Sequence, residues 1–257
     1  MDNQQYFLSI DNGTQSVRAM VFDAQGQLIA KSKIDIEPYF SDQPGWAEQH
    51  ADYFWDALCK ACQALWPLLP IPKESIAAVS VTTQRATAIA MGADNQPLRP
   101  AISWLDQRQV ETKPALGALE SALFTLVGAK PLADLMHKQA EANWIAQNEP
   151  NIWDKVHKFV LLSGYHNYKL TGEYKDAIAS TVGFLPFDYK TQQWADKKDW
   201  KWRAMPITQE MLPEVLPAGA ELGRITLQAA TETGIPKGLP LIASGSDKAC
   251  EVLGTGC

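Results

Sequence analysis

Apolar residues come in three short runs at the start of the chain. Tyr6–Ile10, Ser16–Phe22 and Leu28–Ile36 are separated by polar turns at Asp11–Gln15 and Asp23–Gln27. They predict consecutive strands over 6–10, 16–22 and 28–36, the first two joined as a hairpin. Pro38–Gly45 follows as an irregular, proline-bearing loop. From Ala51 the period changes. Phe54, Trp55, Leu58, Cys62, Leu65, Trp66 and Leu69 share one helical face, and Pro67 and Pro70 stop the helix. Ile76–Thr82 is a continuous run rather than an alternating one, the pattern of a strand covered on both faces, and Thr87–Met91 predicts another strand. The middle reads helical over Lys138–Asn148 and again from a Ser163 cap to Leu170, while residues 186–206, rich in Trp, Lys and Asp, read as a surface connection. A short helix at Thr208–Leu212, a strand at 223–225, a helix at 227–233, a strand at 241–243 and a helix from Asp247 complete the pattern. Three antiparallel strands followed by alternating strands and helices predict an α/β domain, a mixed sheet flanked by helices.

With 257 residues, 46% of them hydrophobic, the chain can bury a full core, as one large domain or two small ones. Its net charge is −6, and its basic residues are scattered, with no run longer than Lys197-Lys198. That balance excludes nucleic acid as the expected partner. Polar Met1–Gln5 leads straight into a strand, and no apolar run is long enough to span a bilayer, so a soluble cytoplasmic protein without a leader is expected. Cys59 and Cys62 form a C-x2-C pair, but they lie at i, i+3 on the apolar helical face and no second pair follows. Core packing is the expected role, since free cysteine behaves as a small hydrophobe. Cys250 and Cys257 fall in no motif.

The chemistry concentrates in two turns. Asp11-Asn12-Gly13-Thr14-Gln15-Ser16 places a carboxylate, a glycine and hydroxyls at a hairpin tip. Such a tip can hold a phosphate and its metal: glycine lets the backbone approach, N–H and O–H groups donate to phosphate oxygens, and the carboxylate orients magnesium-bound water. The same residues also suit an ordinary Asn-Gly hairpin turn. Ser244-Gly245-Ser246-Asp247 closes the other end of the chain at a strand-to-helix turn, where Asp247 could serve as a base or as a helix N-cap. Together the two turns suggest a phosphotransferase.

Several segments match known motifs in order along the chain. Asp11–Arg18 matches D-x-G-T-x-S-x-R, Pro44–Gln49 is similar to P-x-W-x-E, and Val81–Thr87 to N-Q-R-E-T or G-Q-M-H-G. Leu98–Arg108 resembles L-R-P-A-I-x-W-x-D-x-R, Lys169–Glu173 an M/L-T-G-E turn, and Gly245–Ala249 a G-x-D-x-A turn. From residue 6 to the last, the chain resembles the N-terminal domain of the FGGY carbohydrate kinases, the family of xylulokinase and glycerol kinase. The resemblance implies a ribonuclease H-like fold of the actin/hexokinase type, with residues 1–257 as the sugar-binding domain and the C-terminal ATP-binding domain absent from this chain. It implies ATP and magnesium as cofactors and a sugar or polyol as substrate, a ketose such as xylulose ahead of glycerol. It also allows a homodimer.

Carried over residue by residue, the resemblance makes Asp247 the catalytic base and Asp11 the carboxylate that holds magnesium through water. Gly13, Thr14 and Ser16 then contact the phosphates or brace the hairpin, and Arg18 faces phosphate or supports the fold. Arg85 and Asp106 become sugar-hydroxyl ligands, because a five-donor fork and a carboxylate together satisfy a polyol. Trp104 would stack on the sugar's carbon face, or else end a core run, and Lys248 would touch substrate. His137 reads as a solvated loop residue. The sequence departs from the family at Ala86, where glycerol kinases carry a glutamate and xylulokinases a histidine, and at Glu141, where relatives carry lysine before the helix tryptophan. Two other classes remain open: another ATPase of the actin-like fold, and a non-catalytic sugar-binding fragment.

Overall fold

The structure, a computed structural model, describes residues 5–111, 122, 124–126 and 130–255. Met1–Gln4 and Cys257 lie outside the described residues. The centre is a six-stranded sheet ordered Glu221–Arg224, Pro240–Ile242, Ile76–Thr83, Tyr6–Asn12, Ser16–Asp23, Leu28–Asp35. The last three strands form the expected antiparallel set, while Ile76–Thr83 runs parallel to both Tyr6–Asn12 and Pro240–Ile242. This is the mixed α/β sheet that the apolar pattern predicts.

The two faces of the sheet differ. Leu8, Ile10, Val17, Ala19, Val21, Val79 and Val81 point to one side and pack against the helices Ala51–Leu65, Leu162–Thr171 and Leu227–Thr233. Burying this apolar surface is the main source of stability for the domain. Ser9, Asp11, Met20, Phe22, Ser80 and Thr82 line a cleft on the other side. Ile76–Thr83, expected to be covered on both faces, is therefore buried on one only: Ile76, Val79, Val81 and Thr83 are buried and Ser80 and Thr82 are not. Small hydroxyl residues at alternate positions leave that face open to the cleft.

A second layer is built on a four-stranded sheet, ordered Glu48–Gln49, Ala101–Ile102, Ala88–Met91, Lys158–Leu161. It shares a core of Ile102, Val110, Trp144, Ile145, Phe159 and Met205 with the helices Lys130–Gln139 and Glu141–Asn148. The single helix expected over 138–148 is thus two, broken at Ala140, whose ψ of 120° is extended. The Asn143 amide secures the break by donating to the carbonyls of His137 and Ala204. His137 is correspondingly buried in a helix rather than solvated in a loop. Residues 186–206 are only partly a surface connection, since Phe187, Ala195, Ala204 and Met205 are buried. Ser163 does not cap its helix: the helix begins at Leu162, and the Ser163 hydroxyl donates to Asp176. Cys59 and Cys62 are buried as expected, and burial pushes the Cys59 thiol up to about 12. Among the described residues no helix is long and apolar enough to cross a membrane.

Candidate active site

The first strand ends at Asp11, which faces Arg18 across the antiparallel pair and Thr82 across the parallel one. The Arg18 Nη1 lies 2.8 Å from the Asp11 Oδ2, so Arg18 supports this carboxylate directly. Loss of water raises the Asp11 pKa above the ordinary carboxylate range. Arg18 pulls it back, and the charges of Asp247 and Glu251 push it further up.

At the hairpin tip the Gly13 N–H donates to the Ser16 carbonyl at 3.1 Å, and Ser16 is buried. A Cβ at Gly13 would meet only the Ser16 oxygen at 3.6 Å and the Asp11 Oδ1 at 3.9 Å, both ordinary contacts. The fold itself does not demand glycine here, and the space over Gly13 is open to the close approach that a glycine permits. From beneath, the buried His166 Nε2 lies 2.8 Å from the Asn12 Oδ1, and the Asn12 amide donates to the Gly13 carbonyl. His166, which no sequence signal pointed to, thereby holds the hairpin against the helix Leu162–Thr171.

Asp247 is the first residue of the helix Asp247–Gly254, with Ser246 in the N-cap position that Asp247 could have taken. Its Oδ1 accepts the Lys248 N–H at 2.7 Å. The Thr82 hydroxyl donates to the Gly245 carbonyl at 2.8 Å and the Ser244 hydroxyl to the Val81 carbonyl, which fastens the turn to the central strand. As a result Asp11 and Asp247 line one cleft of about 320 Å³, together with Ser9, Thr82, Ser244 and Glu251. The cleft lies toward the carboxyl ends of the parallel strands, where open α/β sheets bind ligands.

Arg85 does not line this cleft but reaches its Asp247, with the Arg85 Nε 3.7 Å from the Asp247 Oδ1. The next residue, Ala86, has a φ of 51°, a left-handed conformation that a non-glycine residue adopts only under constraint. Trp104 is half exposed, and its indole N–H is shared between the Thr14 hydroxyl at 3.2 Å and the Gln84 Oε1 at 3.1 Å. It also lines a second cavity of about 170 Å³, with Ala86, Phe184, Gln109, Gln139 and Glu141. One side chain therefore touches the tip of the first hairpin and also lines the second cavity.

Two expected ligands are placed otherwise. Asp106 borders the second cavity, but its carboxylate accepts from the Ala47 N–H, the Arg108 N–H, the Arg108 Nε and the Arg108 Nη2, at 2.7–2.8 Å. Those four donors fill the lone-pair capacity of a carboxylate, so Asp106 braces the loop instead of meeting a sugar. Arg108 is itself clamped between rings, 4.0 Å from the centroid of Trp46 and 4.5 Å from that of Trp144, with Glu48 2.8 Å from its Nη1. Lys248 turns away to pair with Glu251 at 2.7 Å on the helix surface and lines neither cavity.

Gln109, Gln139 and Glu141 are polar groups of the second cavity that the sequence reading did not assign. Only Glu141 left a signal, as a carboxylate where relatives carry lysine. Burial, with the charge of Asp106 adding, pushes its carboxyl up to about 7.

Among the described residues no group of three or more His, Cys, Asp and Glu could hold a metal ion by itself. Two carboxylates, Asp11 and Asp247, on one cleft fit magnesium, which keeps several waters and is bound through one or two carboxylates plus phosphate oxygens.

Residues 6–254 match the family described as "FGGY family of carbohydrate kinases, N-terminal domain". The chain is 30% identical over 254 residues to a protein of Escherichia coli K12 described as an uncharacterized sugar kinase, YgcE, covering 99% of this chain and 44% of that one. It is 27% identical to a glycerol kinase of Ectopseudomonas mendocina, covering 98% of this chain and 50% of the relative. The crystal structure of a xylulose kinase from Rhodospirillum rubrum superposes with a TM-score of 0.79 at 22% identity, over 98% of this chain and 52% of that one. The chain thus spans about half the length of the relatives it matches.

Proposed function

Because the chain belongs to the FGGY family of carbohydrate kinases, as its N-terminal domain, we propose that it is the sugar-binding half of an enzyme that phosphorylates a sugar or polyol with ATP. One observation carries this reading: Asp11 of the phosphate hairpin and Asp247 of the second turn line a single cleft. Trp104, whose indole N–H reaches Thr14 at the hairpin tip, lines the second, polar cavity.

In this reading Asp247 accepts the proton of the attacking hydroxyl, and Arg85 holds Asp247 and the hydroxyl in line. Gly13, Thr14 and Ser16 present the hairpin to the phosphates. Asp11 holds magnesium through water, and magnesium when bound offsets charge on the transferring phosphoryl group. Trp104 supports the sugar's carbon face from the second cavity. A cytoplasmic location and a homodimer go with this reading.

The substrate is a ketose such as xylulose in preference to glycerol. The Leu98–Arg108 match favours xylulokinase-like relatives, and Ala86 removes a carboxylate that glycerol kinases use. A missing polar partner in a buried hydroxyl site costs about 1–3 kcal/mol. Phosphoryl transfer depends on positioning both reactants, so residues 1–257 alone should bind sugar weakly and not turn over ATP.

Sugar-dependent ATP turnover by the intact protein across a panel of ketoses and polyols tests the proposal. Turnover with a pentulose that exceeds turnover with glycerol is expected. Efficient phosphorylation of glycerol with none of any pentulose reverses the substrate order, and absence of sugar-dependent turnover overturns the kinase reading.

A further inference from the structure

The second cavity combines aromatic and apolar lining groups (Trp104, Phe184, Ile102) with polar ones (Gln109, Gln139, Glu141), the mixture a carbohydrate site needs. Its two carboxylates are not equivalent. Asp106 has no lone pair left for a ligand, as its four donors show. Glu141 meets only its own backbone N–H among the described residues. It opens the helix Glu141–Asn148 directly after the extended residue Ala140, which fixes its place at the cavity wall. This half-buried carboxyl keeps its hydrogen-bonding capacity for a ligand.

We propose that Glu141 is the carboxyl that receives the sugar's hydroxyls in this cavity, and that it selects an uncharged polyhydroxylated chain over an aldonate. The proposal rests on the kinase reading given above. Ala86 lines the same cavity and has no polar side chain, so Glu141 supplies hydrogen-bonding capacity that position 86 lacks. A carboxylate accepts from two hydroxyls at once, the demand that a vicinal diol makes. The charged groups that face Glu141 are Asp106 and Arg108. Arg108 is already committed to Asp106 and Glu48, so among the described lining residues no free cation is left to neutralise an incoming carboxylate. Above about pH 7, where Glu141 is ionised, a substrate bearing its own carboxylate meets like charge in this cavity, whereas a ketose or polyol does not.

Steady-state phosphorylation by the intact protein, with xylulose and xylitol as neutral substrates and gluconate as the aldonate, tests this for wild type, Glu141→Gln, Glu141→Ala and Arg85→Ala. Glu141→Ala should raise KM for the neutral substrates about tenfold to a hundredfold with little change in kcat, and Glu141→Gln should raise it less. Both variants should shift the gluconate-to-xylulose ratio of kcat/KM toward gluconate, a change that a purely structural role does not produce. Thermal melting identifies a misfolded alanine variant, in which case the glutamine variant carries the test. If neutral-substrate KM and the gluconate ratio stay at wild-type values in the Glu141 variants while Arg85→Ala impairs turnover, the inference fails and the kinase reading stands. If wild type phosphorylates no member of the panel, both fall.

Discussion

Two aspartate–arginine pairs sit close to the candidate site and do opposite things. The Asp106–Arg108 pair is shut: both side chains are 3% exposed, the guanidinium is held between two tryptophan rings, and the carboxylate has no free lone pair. Asp247–Arg85 is open, with side chains 24% and 44% exposed and 3.7 Å between the nearest atoms. A closed pair spends its hydrogen-bonding capacity on the fold and serves as frame. An open pair keeps capacity for a ligand. Residue type and motif membership do not distinguish the two, because both pairs lie in segments that resemble the same kinases.

The sharpest way to break the comparison is to remove one carboxylate from each pair. Asp247→Asn in the intact protein should lower phosphoryl transfer about a hundredfold to ten-thousandfold, as loss of a general base does, with the melting temperature near wild type. Asp106→Ala should behave in reverse. It leaves the buried Arg108 with Glu48 as its one remaining carboxylate among the described residues, and denaturant unfolding should show a loss of about 3–5 kcal/mol. A stable Asp106→Ala protein with impaired sugar KM would return Asp106 to the ligands.

A smaller effect probes how the open site is held from below. Burial lowers the His166 pKa from 6.5 to about 3, so the folded protein keeps this ring neutral while the unfolded chain protonates near 6.5. Its contribution to stability is full above about pH 6.5 and is lost as pH falls from there toward 3. Between about pH 7.5 and about pH 5 this should cost about 2 kcal/mol, measured by urea unfolding. Glutamine at position 166 can still donate to Asn12 but does not titrate, so His166→Gln should flatten that slope.

The smallest expected effect concerns Trp104. Phenylalanine keeps a ring for the cavity but removes the N–H shared by Thr14 and Gln84. Trp104→Phe should cost about 0.5–1.5 kcal/mol, seen as weaker coupling between sugar and nucleotide binding rather than loss of either. Unchanged coupling would confine Trp104 to the sugar side.

Much of this was legible in the sequence. The apolar runs and turn residues marked the three antiparallel strands, the helix near Ala51 and the closing strand and helix at 240–254, because periodicity records which face of an element is buried. Asp11 and Asp247 stood out because a carboxylate at a glycine-bearing turn follows from local chemistry. The break at Ala140, the burial of His137 and the open face of Ile76–Thr83 were not legible, since each depends on what a distant segment does or does not pack against.

By itself, then, the sequence determined most of the elements, the mixed α/β class, the family and the two turns whose carboxylates meet in one cleft. Only the tertiary structure decided which charged side chains remain available. Asp106 is closed because Ala47 and Arg108 reach it, Lys248 is turned away because Glu251 lies one helical turn on, and Glu141 is left unpaired against a cavity. Hydrogen-bonding capacity is a property of the whole neighbourhood of an atom, and residues far apart in the chain supply that neighbourhood.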